Sequence, residues 1–573
     1  MDYTLKIGGE AGQGVDTIGA ILSKIFIRAG YFVFSHQDYE SRIRGGHNFI
    51  QIRLSDREIA ASRDVVDILV ALDRQSILAH EKEISADGIV VYDAAALKEK
   101  FDRPSFFDVP FVELATSQGG SKIMANTVAT GAVLGMLGMD LGTARDVIKD
   151  ELKKKDTEVI KANLASVGAG HEFALRECVR CSFTLPPRGQ KKLLMTGNEA
   201  VGLGAVLSGC KFYSAYPMTP STGIFNFIAS KALACGIVVE QAEDEIAAIN
   251  MALGASFGGV RSMTSSSGGG FSLMVEGLSL AGMTETPVVI GLGQRPGPAT
   301  GLPTRTEQGE LLFALYAGHG EFPRLIFAPG TADEALRLTN KAFDLAEKYQ
   351  VPAFILTDQY LADSAWSYEA LNLDTLRKVD YRLRGEALQD PLSYKRHALT
   401  DSGVSPFAIP GDGPYLVVTD SDEHDEEGHI IEDAKTRREM VNKRVLKKLP
   451  AMRAEIAPPS FHGHDAPEVV LVGWGSTYGV LREVAERFAG RKVGMLHFSE
   501  LCPFPGTEKF DFVTLLRRAK KTICVEHNAM GKFAALMRSE TGYAFDAHVR
   551  KYDGRPFTVE SLAGEIDGHL AGL

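Results

Sequence analysis

Cysteine is scarce in this chain, with six in 573 residues. Cys210, Cys235, Cys502 and Cys524 stand singly, and Cys178-Val179-Arg180-Cys181 is a lone pair. So few exclude a disulfide framework. A structural zinc or an iron–sulfur cluster takes about four ligands and finds no second pair here. Cys178 and Cys181 are therefore read as ordinary thiols, and no metal site is assigned. Long apolar runs are missing too; none approaches the roughly 20 residues of a membrane-spanning helix. The start, Met1-Asp2-Tyr3-Thr4-Leu5-Lys6, enters a strand directly, without the basic and apolar regions of a signal peptide. Positive charge is in deficit, with a formal net charge of -11. That argues against a general nucleic-acid binder. These absences together predict a cytoplasmic, reduced protein with no membrane and no nucleic-acid partner.

What is present is α/β patterning, in a chain too long for one core. Residues 1–180 open with a strand at 5–7 and the turn Gly8-Gly9-Glu10-Ala11-Gly12-Gln13-Gly14, and a helix follows. Residues 177–192, rich in proline and lysine, read as a linker. Residues 193–365 alternate strands, at 211–216, 236–240, 287–292, 325–328 and 353–357, with helical patterns. That predicts a parallel, doubly wound sheet. Residues 366–465 are polar, with an acidic run at 420–427 and a basic run at 435–448. They read as a solvated, salt-bridged connecting region. Residues 466–573 are α/β again. The fold class is α/β, in three α/β domains.

Several stretches can carry chemistry. Lys211-Phe212-Tyr213-Ser214-Ala215 reads as a buried strand, with Thr219 the N-cap and Pro220 the first turn of a helix ending at Gly236. Free N–H groups there, with Thr219, Ser221 and Thr222, can gather one carboxylate or phosphate, and the same spacing also suits a plain capped turn. Gly12 and Gly14 bring backbone N–H groups toward a phosphate, or make a simple tight turn. Ser41-Arg42-Ile43-Arg44-Gly45-Gly46 puts Arg42 and Arg44 beside a glycine turn, as an anion clamp or a solvated hairpin. Thr264-Ser265-Ser266-Ser267-Gly268-Gly269-Gly270 reads as a loop after a strand, a cofactor approach or a flexible connector. Arg295 and Arg305 flank a proline-rich loop and offer forks to a carboxylate, or are plain surface arginines. Gly411-Asp412-Gly413 is not read as a diphosphate–magnesium motif, because Pro414 follows and no strand with paired asparagines does.

Five segments in order carry a resemblance. They are Thr196-Gly197-Asn198-Glu199-Ala200, Tyr216-Pro217-Met218-Thr219-Pro220-Ser221-Thr222, Glu243-Asp244-Glu245-Ile246-Ala247-Ala248, the Thr264 to Gly270 run, and the stretch from Gln294-Arg295-Pro296-Gly297 to Thr304-Arg305-Thr306-Glu307-Gln308-Gly309. This set resembles the α subunit, with a fused N-terminal γ domain, of the 2-oxoacid:ferredoxin oxidoreductases, as in the 2-oxoglutarate enzymes. Met218 stands where the family motif has isoleucine, a conservative change.

The resemblance implies a division of labour. Residues 1–180 become the γ domain, a candidate for coenzyme A binding through Gly12, Gly14, Arg42 and Arg44. Residues 193–365 become a pyrimidine-binding-like thiamine diphosphate domain, and 466–573 a transketolase C-terminal-like domain. Glu245, with Glu243 as the fallback, becomes the catalytic carboxylate that activates thiamine diphosphate. Thr264, Ser265, Ser266 and Ser267 face that cofactor. Thr219, Arg305, Ser221 and Arg295 bind the oxoacid, with Arg305 favoured. A β subunit would bring thiamine diphosphate, Mg2+ and a [4Fe-4S] cluster, since this chain has neither a diphosphate–magnesium motif nor a cysteine cluster, and ferredoxin would accept the electrons in an (αβ)2 heterotetramer. The reaction implied interconverts 2-oxoglutarate, coenzyme A and oxidised ferredoxin with succinyl-CoA, carbon dioxide and reduced ferredoxin; the reductive direction fixes carbon dioxide. Rival readings are the same chemistry on pyruvate or a branched-chain 2-oxoacid, and a self-contained dinucleotide-binding protein.

Overall fold

The computed structural model describes residues 1–41, 46–181, 183–186, 188–384 and 393–571. They form two compact units: Met1–Met195 with Ser364–Leu371 and Phe557–Leu573, and Thr196–Asp363 with Asn372–Pro556. No helix among the described residues is long and apolar enough to cross a membrane.

The first unit holds an eight-stranded mixed sheet. Its strand Asp2–Glu10 pairs parallel with Val66–Ala71 and antiparallel with His47–Ser55, placing Ile7 opposite Ile50. The glycine turn follows that strand. Gly12 and Gly14 take φ of 94° and 85°, the left-handed region in which a side chain is strained. Helix Val15–Arg28 then buries Val15, Ile18, Leu22, Ile25 and Phe26, which recur at helical spacing, on the core of Leu5, Ile7, Ile50 and Ile52. Past helix Thr157–Glu177, Cys178 and Cys181 are joined as a disulfide, which corrects the reading of both as free thiols.

The second unit carries a seven-stranded sheet in the order Glu500–Cys502, Leu325–Phe327, Pro352–Asp358, Val288–Gln294, Arg261–Ser267, Cys210–Ala215, Val238–Gln241. All neighbours are parallel except the edge strand Glu500–Cys502. Val288–Gln294 and Pro352–Asp358 are buried along their whole length, as strands covered on both faces must be. The predicted strands at 211–216, 287–292, 325–328 and 353–357 match within a residue or two. A five-stranded sheet follows, Ser460–Gly463, Val493–Phe498, Val469–Trp474, Lys521–Glu526 and Ala547–Arg550.

Three local expectations differ from the structure. The helix after Thr219 begins at Thr222, so its N-cap is Ser221 rather than Thr219. Thr264-Ser265-Ser266-Ser267 lies inside strand Arg261–Ser267, and Gly268-Gly269-Gly270 starts helix Gly268–Met283, so neither is a loop. Ser and Gly runs read as turns by propensity, and burial between neighbouring strands overrides that. The third concerns 366–465. Its basic run is not wholly solvated: Lys443 and Lys448 are 0% and 1% exposed, and both face Glu285, at 2.9 and 3.3 Å. Arg396, also buried, donates to the Glu285 carbonyl at 2.7 Å.

Burial alone would raise the Glu285 carboxyl. Lys448 and Lys443 outweigh that and hold it well below the usual carboxylate range. Burial in turn pulls the Lys448 ammonium down to about 8. The cluster ties the charge-rich segment to the end of helix Gly268–Met283. Removing one member of a buried ion cluster leaves the others unpaired and costs about 3–5 kcal/mol. Glu285→Gln is therefore expected to speed amide exchange in residues 434–456 by about a hundredfold or more, at roughly tenfold per 1.4 kcal/mol. Hydrogen exchange read by mass spectrometry checks this; unchanged protection would show that the cluster does not hold the segment.

Candidate functional site

Five parallel strands of the second unit deliver the candidate residues at their carboxyl ends, where open α/β sheets bind ligands. Cys210–Ala215 leads into Tyr216 to Ser221. Val238–Gln241 leads into Glu243 and Glu245. Arg261–Ser267 leads into the three glycines. Val288–Gln294 leads into Arg295, and Pro352–Asp358 ends beside them.

Glu245 is the first residue of helix Glu245–Phe257, whose N-cap Asp244 accepts from the Ala247 N–H at 2.8 Å. Its side chain is buried, 3% exposed, while Glu243 is exposed. The Ser266 hydroxyl donates to Glu245 Oε1 at 3.1 Å. Gly270 allows this approach: a Cβ there would lie 2.2 Å from Glu245 Oε1 and 2.1 Å from Ser266 Oγ. The neighbouring hydroxyls serve differently. Ser265 is bound to the Tyr213 hydroxyl, and Ser267 donates to Met218 Sδ at 2.7 Å. Thr264 Oγ1 is buried and has no hydrogen-bond partner among the described residues. Ser221 is also buried, with its hydroxyl donating to the Met218 carbonyl at 2.8 Å.

The structure brings Arg295 to Thr219: its Nη1 donates to the Thr219 carbonyl at 2.8 Å. Burial lowers the Arg295 guanidinium, and Glu310 offsets this in part. Arg305, the favoured arginine of the sequence reading, lies elsewhere in the loop. It is half-buried, and a Cβ on Gly554 would meet its Cβ at 3.1 Å. Glutamines hold the loop between them. Gln294 receives the Glu310 N–H at 2.9 Å, and Gln308 receives the His527 N–H at 3.0 Å while donating to the Trp474 carbonyl at 2.8 Å.

Glu310 was missed by the sequence reading, which ended its motif one residue earlier. A Cβ on Gly268 would lie 2.6 Å from Glu310 Oε1, so this carboxylate sits against the start of helix Gly268–Met283. That helix has no side-chain cap. Glu245 and Glu310 thus stand beside opposite ends of one glycine triplet. Burial raises the Glu310 carboxyl to about 7; Lys532 and Arg295 pull against the rise and Glu307 adds to it. Its Oε2 is buried without a hydrogen-bond partner among the described residues. A buried acid raised in this way is suited to acid–base chemistry.

The first unit has a separate cavity of about 420 Å³, lined by Glu10, Gly12, Gly14, Asp16, Asp38 and Glu40 among others. Its described lining carries the carboxylates of Glu10, Asp16, Asp38 and Glu40. Arg42 and Arg44, expected beside these glycines, lie outside the described residues.

Residues 203–443 match the family described as pyruvate flavodoxin/ferredoxin oxidoreductase, thiamine diP-bdg. Residues 4–173 match pyruvate ferredoxin/flavodoxin oxidoreductase. The chain is 33% identical to a 2-oxoacid:ferredoxin oxidoreductase subunit alpha from a Sulfolobus species, over 98% of this chain and 96% of that one. It is 28% identical to the 2-oxoglutarate oxidoreductase subunit KorA of Mycobacterium tuberculosis, over 100% of this chain and 92% of that one. Among solved structures, the 2-oxoglutarate:ferredoxin oxidoreductase of Magnetococcus marinus, with 2-oxoglutarate, coenzyme A and succinyl-CoA bound, superposes at a TM-score of 0.91. It has 30% identity and covers 99% of each chain.

Gly270→Ala is expected to leave the fold in place, since alanine favours a helix, yet to displace Glu245. Thiamine diphosphate should bind about tenfold or more weakly, within the ~1–3 kcal/mol cost of overpacking. A titration of cofactor against the assembled protein, with circular dichroism as control, checks it; unchanged binding would remove Glu245 from that role.

Glu310 yields a pH prediction. Its folded-state carboxyl titrates above the ordinary 4.5, at about 7. Such a group costs nothing below 4.5 and costs increasingly as pH rises to 7. Glu310→Gln should therefore lose less stability than the wild type between pH 5 and pH 8. Urea unfolding midpoints at the two pH values decide it, and equal losses would count against the burial effect.

Proposed function

The chain belongs to the 2-oxoacid:ferredoxin oxidoreductase family as an alpha-type subunit, and we propose that its own 2-oxoacid is 2-oxoglutarate. On this reading it works in the cytoplasm, converting 2-oxoglutarate, coenzyme A and oxidised ferredoxin to succinyl-CoA, carbon dioxide and reduced ferredoxin, or the reverse. A β subunit supplies Mg2+ and a [4Fe-4S] cluster, because the six cysteines of this chain offer no cluster motif. The two subunits form an (αβ)2 assembly. The observation that carries the reading is the full-length likeness to a solved 2-oxoglutarate enzyme, at a TM-score of 0.91.

The described residues fit thiamine diphosphate. Glu245 is a buried carboxylate with one hydroxyl donor, and the bare Gly270 lets that carboxylate sit against the helix start. Bound there, the cofactor supplies the electron sink for decarboxylation. Glu245 holds and exchanges the proton of the cofactor's pyrimidine ring, and Ser266 orients that carboxylate. Arg295 stands at Thr219 as a fixed cation for the 1-carboxylate common to all 2-oxoacids. Arg305 is left for the second carboxylate that distinguishes 2-oxoglutarate, which needs a cation if it is to be buried. Glu310, raised by burial, can hold a proton near neutral pH.

The test is turnover of the assembled enzyme with 2-oxoglutarate, pyruvate and 2-oxobutyrate. We expect the highest kcat/KM for 2-oxoglutarate. Losing one partner of a buried charged pair costs about 2–5 kcal/mol, or roughly 30-fold and more. Arg295→Ala should impose that loss on all three acids, and Arg305→Ala on 2-oxoglutarate alone. A preference for pyruvate in the wild type would overturn the substrate assignment.

A further inference from the structure

Two buried guanidiniums in the second unit share one carboxylate. Arg261 donates to Glu347 Oε2 through Nη2 at 2.6 Å and Nε at 3.2 Å. Arg382 meets the other oxygen, Oε1. The three side chains are 10%, 3% and 2% exposed. Arg261 also donates to the Ser208 carbonyl at 2.7 Å. Arg382 Nε is buried with no hydrogen-bond partner among the described residues. Both guanidiniums share the Glu347 carboxylate, and Asp344 and Asp380 lie near enough to Arg261 to act against its burial.

Space for an anion adjoins the pair. Arg261 and Arg382 line a cleft of about 420 Å³ together with Lys211, Lys378, Arg384 and Asp380. The volume falls within the range of about 300–1,000 Å³ usual for small-molecule sites. Asp380, the one acid among the described lining residues, is already engaged by Arg384 at 3.1 Å. The cleft lies at the amino ends of strands Cys210–Ala215 and Arg261–Ser267, the opposite strand ends from Thr219 and Glu245. Burial, with Arg261 and Arg384 nearby, pulls the Arg382 guanidinium down to about 9, a shift that a bound anion would reverse.

We propose that this cleft binds a small phosphate-bearing molecule, with Arg382, Arg384 and Lys378 taking its phosphate oxygens. A phosphate matches two features at once. It carries more than one negative charge, which suits a described lining that holds Lys211, Arg261, Lys378, Arg382 and Arg384, and its oxygens suit the planar guanidinium fork. A substrate-binding role is not needed for it, so the inference stands independently of which 2-oxoacid the chain uses.

The test is calorimetric titration of the full chain with pyrophosphate, and separately with citrate at the same ionic strength. Arg382→Ala would strand Glu347 and can fail to fold, so the Lys378→Ala/Arg384→Ala double variant carries the comparison. We expect saturable one-site binding of pyrophosphate, weakened about tenfold or more in the double variant. The unfolding midpoint of the variant without ligand should match the wild type. Absence of saturable binding, or equal affinity in the variant, overturns the site. Citrate binding as tightly as pyrophosphate overturns the phosphate assignment.

Discussion

Parallel pairing from Leu325–Phe327 across to Val238–Gln241 is the constraint on which the candidate site depends. Strands that run one way end on one edge. Residues far apart in sequence, Thr219, Glu245, Ser266 and Arg295, therefore emerge together with no contact between their own side chains needed to bring them there. The central strands Val288–Gln294 and Pro352–Asp358 are covered on both faces, so their backbone is rigid and dry. The hydroxyl that orients Glu245 sits on strand Arg261–Ser267, at Ser266.

Close packing of backbone does the rest. The helix that begins Gly268-Gly269-Gly270 leaves two carboxylates room at its first turn, Glu310 over Gly268 and Glu245 over Gly270. A methyl group at either position would occupy the space of a carboxylate oxygen. These glycines are needed for proximity rather than for an unusual φ. Gly12 and Gly14 in the first unit are the opposite case, with left-handed φ of 94° and 85°.

Charge is buried in this chain wherever a helix or loop must be tied down. Glu285 is surrounded by Lys443, Lys448 and Arg396, and Glu347 by Arg261 and Arg382. In each cluster one carboxylate is shared by two or more cations. The first is closed by packing and by carbonyl acceptors, and burial lowers its Lys448 ammonium. The second opens on a cleft. A shared carboxylate is thus enclosed in one place and borders a cleft in the other.

Much of the architecture was legible in the residues. Period-two and continuous apolar runs marked the strands at 211–216, 287–292 and 353–357, and Gly236 marked the end of helix Thr222–Cys235. The motifs around Thr219, Glu245 and Arg295, taken in order, carried the resemblance to the family. Tertiary structure alone decided which of Glu243 and Glu245 is buried and which arginine reaches Thr219. It also decided that Thr264 to Ser267 is strand and that Lys443 faces inward. Each of these depends on neighbours distant along the chain: a charge run is solvated by default, and only the buried Glu285 draws Lys443 and Lys448 inside. Glu310 carried no local signal, since its shifted acidity arises from burial against a helix that starts 42 residues earlier.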